Sequence, residues 1–515
     1  MPVNHPSLKS THSWREALVV YLQPRVLTML FLGLSAGIPL LLIFSSLSLW
    51  LREAGVERSD VTYFVWAALG YSFKFVWAPL IDKLPLPFLF KAFGRRRSWL
   101  LVAQAGVIGS IILMAMTDPK IDLVSMAIAA VLLGFSSASQ DIVIDAYRIE
   151  SAVEEIQAAL SASYTAGYRI GMIMAGAGAL YLSGWLGVDG EYSYEAWRTT
   201  YLIMASMMCI GVVTTLMIRE PARNVRDSPY LHSHIDYLRF VLLFVLVTAS
   251  FILTFFYSSD PITEFKIVIE KQTIFNGVFS GFLGETIRLS MAITVSYLVT
   301  RLLVFSRVVN YSMVEDTYIE PVVDFFKRYG KEAILILILV GFYRVSDIVL
   351  GAIANIFYQD TGFSKQQIGT MSIVFGIIMT IVGGFVGGIL TMRYGILRIL
   401  LLGAVLSSLT NLLFLILANV GANIVVFGFV IVADNLSGGL AIAAFIAYLS
   451  SLTNISFTAV QYAIFSSLMT LFPKLLGGYS GSVVDQVGYP IFFIGTTLLG
   501  VPVILLILFM MRREK

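Results

Sequence analysis

The sequence is poor in the residues from which most soluble machinery is built. It has one cysteine, Cys209, inside an apolar run, so an intrachain disulfide framework and a cysteine-based metal site are excluded. The four histidines, His5, His12, His232 and His234, fall outside the apolar runs, which argues against an intramembrane histidine cluster. Charged residues make up only 13% of the 515 positions, against about 25% in ordinary soluble domains. That is too little polar surface to wrap soluble domains of this combined length. The net charge of +3 implies no polyanionic partner, so nucleic acid is not expected. No Gly-x4-Gly-Lys-Ser/Thr phosphate loop occurs, and with no sizeable soluble domain this disfavours a pump carrying its own ATP motor.

What is present is apolar: 58% of residues and a mean hydropathy of +0.84. The solvent for most of the chain is lipid. A helix needs about 20 mainly apolar residues to cross the hydrocarbon core. With that window, spans are predicted near 26–50, 60–82, 98–116, 121–146, 157–183 and 197–218, and again near 331–356, 365–390, 396–417, 422–449, 457–480 and 489–511. Two more, about 238–257 and 287–306, lie between the groups, and the 270–290 stretch either starts its helix early or is partly re-entrant. The expected fold is therefore all-α and transmembrane, two six-helix bundles plus two central helices, fourteen crossings in all. The expected divisions are a terminal segment 1–25, a bundle 26–218, a linker 219–330 with the added pair, a bundle 331–511 and a tail 512–515.

Lys9, Arg15 and Arg25 precede the first span, which lacks a small-residue cleavage site at the right distance and reads as a retained helix. Lys83, Lys91, Arg95, Arg96 and Arg97, with Arg512, Arg513 and Lys515, collect on one side of the membrane if both termini lie there. The positive-inside rule makes that side cytoplasmic. Six plus six suggests the internal repeat common in secondary transporters. Span two ends in Asp82-Lys83 and runs through a basic loop to Gly94-Arg95-Arg96-Arg97, and span eight ends in Arg393, Gly395 and Arg398, a shorter loop of the same glycine-then-basic character. Arg169 and Lys474 each stand seven residues before a glycine in spans five and eleven.

Ionisable residues within such spans cost at least about 2.5–3.5 kcal/mol and persist where they have a partner or a watery path. Asp141 and Asp145 share a helix face with Arg148 one turn on. They are proton-site candidates, against the plainer alternative that Asp145 and Arg148 form a pair stabilising the helix end. Asp434, beside Asn435, is a third such candidate. Arg344 and Asp347 stand at i, i+3 and either neutralise each other or part during transport. Arg169 and Lys474, one from each bundle, could clamp an anionic substrate or be tied to a neighbouring Asp. Lys74 calls for a partner carboxylate. The glycine runs, including Gly171, Gly176, Gly383, Gly384, Gly387 and Gly388, read mostly as helix-packing devices.

Several motifs together resemble a known family. Leu32-Gly33-Leu34-Ser35-Ala36-Gly37-Ile38-Pro39, Asp82-Lys83 followed by Gly94-Arg95-Arg96-Arg97-Ser98-Trp99, Ser139-Gln140-Asp141 through Asp145-Ala146, Gly167-Tyr168-Arg169 and Asp434-Asn435-Leu436-Ser437-Gly438-Gly439 look like those of the AmpG-type muropeptide permeases. That family belongs to the peptide–acetyl-CoA–drug transporter branch of the major facilitator superfamily. The resemblance covers both bundles. It implies proton-driven import of anhydro-muropeptides, disaccharide-peptides bearing several carboxylates, across a bacterial inner membrane for cell-wall recycling. It also implies that Asp82, Gly94, Arg95, Arg96 and Arg97 gate the cytoplasmic side. The residues expected to act are then Asp141, Asp434 and Asp145 in proton coupling. Arg169, Lys474, Gln140, Tyr168 and Asn435 are expected on substrate, and Arg344, Asp347 and Lys74 in gating or structure. No cofactor or metal is expected; the proton gradient supplies energy, the partners are an anionic solute, protons and lipid, and a monomer is expected. The added helices at 219–330 depart from the shorter relatives, and the Glu315–Arg328 stretch reads as an amphipathic connector. The alternatives are another anionic cargo such as acetyl-CoA, which would want more phosphate-directed cations, and, more remotely, a polytopic enzyme or receptor.

Overall fold

In the computed structural model, residues 14–56, 64, 71, 73–153, 156–187, 192–221, 234–272, 277–477 and 480–513 are described. Most of the expected 60–82 span, the first thirteen residues and the last two lie outside that set. Twelve segments among the described residues are long and apolar enough to cross a membrane. The segment expected at 157–183 is helical but too polar to be counted among them. The described chain is helical throughout its ordered elements.

In the first half, α1 is Pro24–Ile43 and continues as Ser45–Glu53; α2 is Ala78–Lys83; α3 is Arg95–Ala115; and α4 is Leu123–Glu150. Helix α5 is Gln157–Ile173, continuing through a π-helical turn, Met174–Gly178, into Ala179–Leu186, and α6 is Tyr194–Met207 continuing as Cys209–Met217. The insert supplies α7, His234–Tyr257, then α8, Gly277–Phe305, and the short α9, Glu320–Tyr329. Helix α8 thus begins early. In the second half, α10 is Glu332–Phe342 continuing as Val345–Asp360, and α11 is Gly376–Tyr394 after a π-helical turn at Gly369–Phe375. The remaining helices are α12, Ile396–Val420; α13, Ile424–Ser451; α14, Thr458–Gly477; and α15, Ser480–Arg513.

Helix α5 is stable despite its polarity because its small residues let it lie directly on α1. A Cβ added at Gly37 would sit 2.0 Å from the Tyr168 carbonyl oxygen, and one at Gly167 would sit 1.9 Å from that of Leu30. In lipid, where hydrophobic burial does not drive helix association, such backbone proximity is what holds helices together. The approach to α2 is irregular for a different reason. Pro79 at the start of that helix has no N–H to offer the preceding turn, and Lys74–Val76 forms a 3₁₀ turn instead. Lys74 therefore stands at a break in the element.

The added pair does not stand apart. Phe251 and Phe255 of α7 meet Phe73 edge-on at 5.1 and 4.7 Å between ring centres. Ala292 of α8 shares an apolar cluster with Phe73, Val76, Ala459 and Ala463. The pair thus covers the line where α2 and α14 meet. The amphipathic connector packs on the second half: Asp324 accepts from Asn454 and Gln461, both at 3.0 Å, and Arg328 donates to the Leu452 carbonyl at 3.0 Å.

Candidate functional site

The halves are joined at the end of the bundle that carries the arginine-rich loop, the basic end. Asp82, 2% exposed, accepts from Arg96 at 2.6 Å through one oxygen and from the backbone N–H of Val460 at 3.3 Å through the other. Val460 is in the first turn of α14, so the carboxylate also faces the positive end of that helix. Arg96 in turn holds Glu150 of α4, which Arg95 contacts at 3.2 Å. Glu220 accepts from the N–H groups of Arg96 and Arg97 at 2.8 and 3.1 Å, capping α3 where Gly94, at φ +83°, turns the chain into it. The Arg97 side chain goes elsewhere, donating to the Thr215 and Leu216 carbonyls at the end of α6.

A second charged chain starts deeper. Lys74 lies 3.6 Å from Asp145, whose other oxygen accepts from Arg148 at 3.3 Å. Arg148 is fully buried and donates across to Ser450 of α13 at 2.7 Å. It also donates to Ser161 at 3.0 Å, and its guanidinium stacks on Tyr462 of α14 at 5.1 Å. The pair of Asp145 and Arg148 thus exists, but each residue has other partners as well.

Towards the middle of the bundle, Asp141 is 8% exposed and accepts from Tyr164 at 3.4 Å. Asp434, half-buried, accepts from Thr410 at 3.4 Å. Among the described residues neither has an ion-pair partner. Arg344 pairs with Asp347 across the break in α10. Arg169 is half-buried, contacts the Met172 sulfur at 3.8 Å, and lies within electrostatic range of Arg344 and Asp347. Lys474 is exposed and within such range of Arg344 and Lys74. Cations from α5, α10, α14 and the approach to α2 thus converge between the halves. Tyr168, half-buried, lies in electrostatic range of Arg169 and Asp141.

Two expected substrate contacts are turned away from that space. Gln140 is fully buried and donates to Ser35 of α1 at 3.3 Å. Adjacent helical residues point about 100° apart, so Gln140 faces α1 while Asp141 faces α5. Asn435 bonds within its own half, to the Ile431 carbonyl at 2.9 Å and to Thr380 at 3.1 Å. The sequence reading missed Tyr164, Glu150, Glu220, Ser450 and Tyr462. Tyr164 stands four residues before Tyr168, and that spacing could have found it.

The Major Facilitator Superfamily model matches residues 84–313 and 335–515. The chain belongs to that superfamily. A second family model, Acetyl-coenzyme A transporter 1, matches residues 25–119. Among curated proteins, a putative transporter AmpG 4 of Rickettsia conorii is 30% identical over 94% of this chain and 96% of its own length. An anhydromuropeptide permease of Escherichia coli K12 is 27% identical over 95% of this chain and 80% of its own. The superfamily member is thus of the AmpG type, a multi-pass membrane transporter and not an enzyme. Solved structures of the same fold include the proton:xylose symporter XylE, TM-score 0.57 at 11% identity over 96% of this chain and 95% of that one. The E. coli fucose:proton symporter FucP gives 0.56 at 9% over 96% and 98%.

Proposed function

We propose that the protein imports anhydro-muropeptides across the bacterial inner membrane, driven by protons, with both termini and the basic end in the cytoplasm. The observation that carries this reading is the similarity, over 95% of this chain and 80% of the relative, to a permease of that cargo. The disposition of charge supports it. A cargo with several carboxylates needs cations from both halves, and Arg169, Lys474, Arg344 and Lys74 offer them. Arg169 is the strongest substrate contact, since a planar guanidinium binds a carboxylate through two parallel bonds. Asp141 and Asp434, held among the described residues by a single hydroxyl each, can exchange a proton without breaking an ion pair there. With the basic end clasped, the space between the halves where these cations converge receives cargo from the opposite, outer side, and rocking of the halves delivers it.

The test is uptake of labelled N-acetylglucosaminyl-anhydro-muramyl peptide into proteoliposomes, with and without an inward proton gradient. Accumulation stimulated by the gradient is expected, abolished in Asp141→Asn, and in Arg169→Ala reduced about tenfold in apparent affinity, the loss of one charge-assisted contact. No uptake by folded protein would refute the cargo. The Acetyl-coenzyme A transporter 1 match at 25–119 favours one second reading, an acyl-coenzyme A cargo. Competition between the two compounds in the same assay decides between them.

A further inference from the structure

Arg148 occupies a position that neither cargo binding nor proton exchange explains. It lies at the basic end of α4, fully buried, and it is held from both halves of the molecule. On its own side it has Asp145, Ser161 and Gln157; across the seam it has Ser450 and the ring of Tyr462. Its Nε lacks a hydrogen-bond partner among the described residues, so the guanidinium is not fully satisfied by them where it stands. Asp145 is divided as well. Its contacts to Arg148 at 3.3 Å and to Lys74 at 3.6 Å are both looser than the 2.7–2.9 Å of a tight charge-assisted bond. One carboxylate thus serves two cations: Lys74, within electrostatic range of the exposed Lys474, and Arg148, which holds the seam.

We propose that Arg148 is the positioning residue through which anion binding at Lys74 opens the basic end. An anionic group that draws Lys74 from Asp145 leaves that carboxylate to Arg148 alone. Arg148 then turns fully onto Asp145 and gives up Ser450 and Tyr462, and the clasp between the halves at this level is lost. In the empty transporter Lys74 competes for Asp145, Arg148 stays across the seam, and the basic end stays shut. The inference rests on the reading of the chain as a carrier of anions entering from the outer side, but on no particular anion.

The test uses a reporter thiol at the seam. Ala447 of α13 is 1% exposed and packs in a cluster drawn from both halves. Ala447→Cys is placed in a Cys209→Ser background, since Cys209 is exposed. Labelling by an impermeant maleimide applied to the basic end is then measured with and without the muramyl peptide on the other side. The parent protein should label about tenfold faster with cargo, the scale of one charge-assisted hydrogen bond to Ser450. Lys74→Met should label at that fast rate without cargo, and Asp145→Asn at the slow rate with or without it. Opposite signs at two ends of one ion pair are not what general loosening of the fold produces. Arg148→Lys keeps the charge but lacks the fork that reaches Ser450, Ser161 and Asp145 together, so its labelling should be fast and unresponsive to cargo. Slow labelling of Lys74→Met, fast labelling of Asp145→Asn, or a full cargo response in Arg148→Lys overturns the proposal. If the parent ignores the muramyl peptide while Lys74→Met labels fast, the cargo assignment falls and the role of Arg148 stands.

Discussion

Two of the seams where the halves meet at the basic end are built on opposite principles. Where α2 meets α14, the contact is a buried charge network: Asp82 links Arg96 to the first turn of α14, and Arg96 reaches on to Glu150. Where α5 meets α11, the contact is close apolar packing. Gly388 faces Ala158 and Ala162, Tyr21 lies against Phe385 with ring centres 5.1 Å apart, and Met392 is buried among apolar residues of both halves. A hydrogen-bonded charge pair is directional, and its hydrogen bonds are lost over a short displacement, whereas apolar packing is non-directional. The first seam is suited to be a latch that makes and breaks, and the second to be the bearing on which the halves rock.

The largest effect should come from breaking the latch. Asp82→Ala removes the acceptor shared by Arg96 and the Val460 N–H and leaves Arg96 with Glu150 alone. Truncating one partner of a buried pair costs about 3–5 kcal/mol. Purified Asp82→Ala should show the largest fall in melting temperature of the set, transport below detection, and fast labelling of the Ala447→Cys reporter. A melting temperature equal to that of the parent, with slow labelling, would mean that the seam is not held by charge.

A smaller effect should follow from forcing the latch chemistry onto the bearing. Met392→Asp places a carboxyl at a position 4% exposed in an apolar cluster. Burying a polar group without a partner costs about 1–3 kcal/mol. Stability should fall by less than in Asp82→Ala, and the reporter should label at an intermediate rate. Were Met392→Asp to stabilise the protein, the two seams would be interchangeable and the contrast between them would fail.

How much of this the sequence could say depends on the range of each interaction. The apolar windows located the two bundles and the added pair because a membrane span is a local property of about 20 residues. They also gave a span at 157–183, where the chain is helical as α5 but is not among the segments long and apolar enough to cross a membrane. Contacts one helical turn apart were legible, as for Arg344 with Asp347 and Asp145 with Arg148. Contacts between distant helices were not. Lys74 visibly needed a carboxylate, but nothing local distinguished Asp145 from Asp141, and Arg148 reaching Ser450 leaves no periodic trace over 302 positions. Gln140 was grouped with Asp141 because a polar stripe was read as one face, although neighbouring residues on a helix point in different directions, and its side chain bonds Ser35 of α1. The contrast between the seams was half visible: the resemblance gave Asp82 and Arg96 a gating role, and only the packing shows the apolar seam around Met392.

The smallest effect tests the bearing itself. An alanine Cβ at position 388 would lie 2.2 Å from the Tyr21 hydroxyl, 3.1 Å from the Ala162 Cβ and 3.2 Å from the Ala158 carbonyl oxygen. The first contact is the severe one, and it is to the far end of a side chain. Tyr21 donates to the Phe385 carbonyl at 3.3 Å, a long bond of about 0.5 kcal/mol at most. Gly388→Ala should therefore displace the hydroxyl and lower transport about twofold. Tyr21→Phe removes the hydroxyl and keeps the ring against Phe385, so alone it should change transport very little. In the double variant Tyr21→Phe/Gly388→Ala the nearest obstacle is gone, and transport should return close to the parent rate, a coupling of roughly the size seen between touching residues. If instead the double variant is worse than either single one, the hydroxyl bond is a latch in its own right. The α5/α11 seam would then need to break and re-form as the other does.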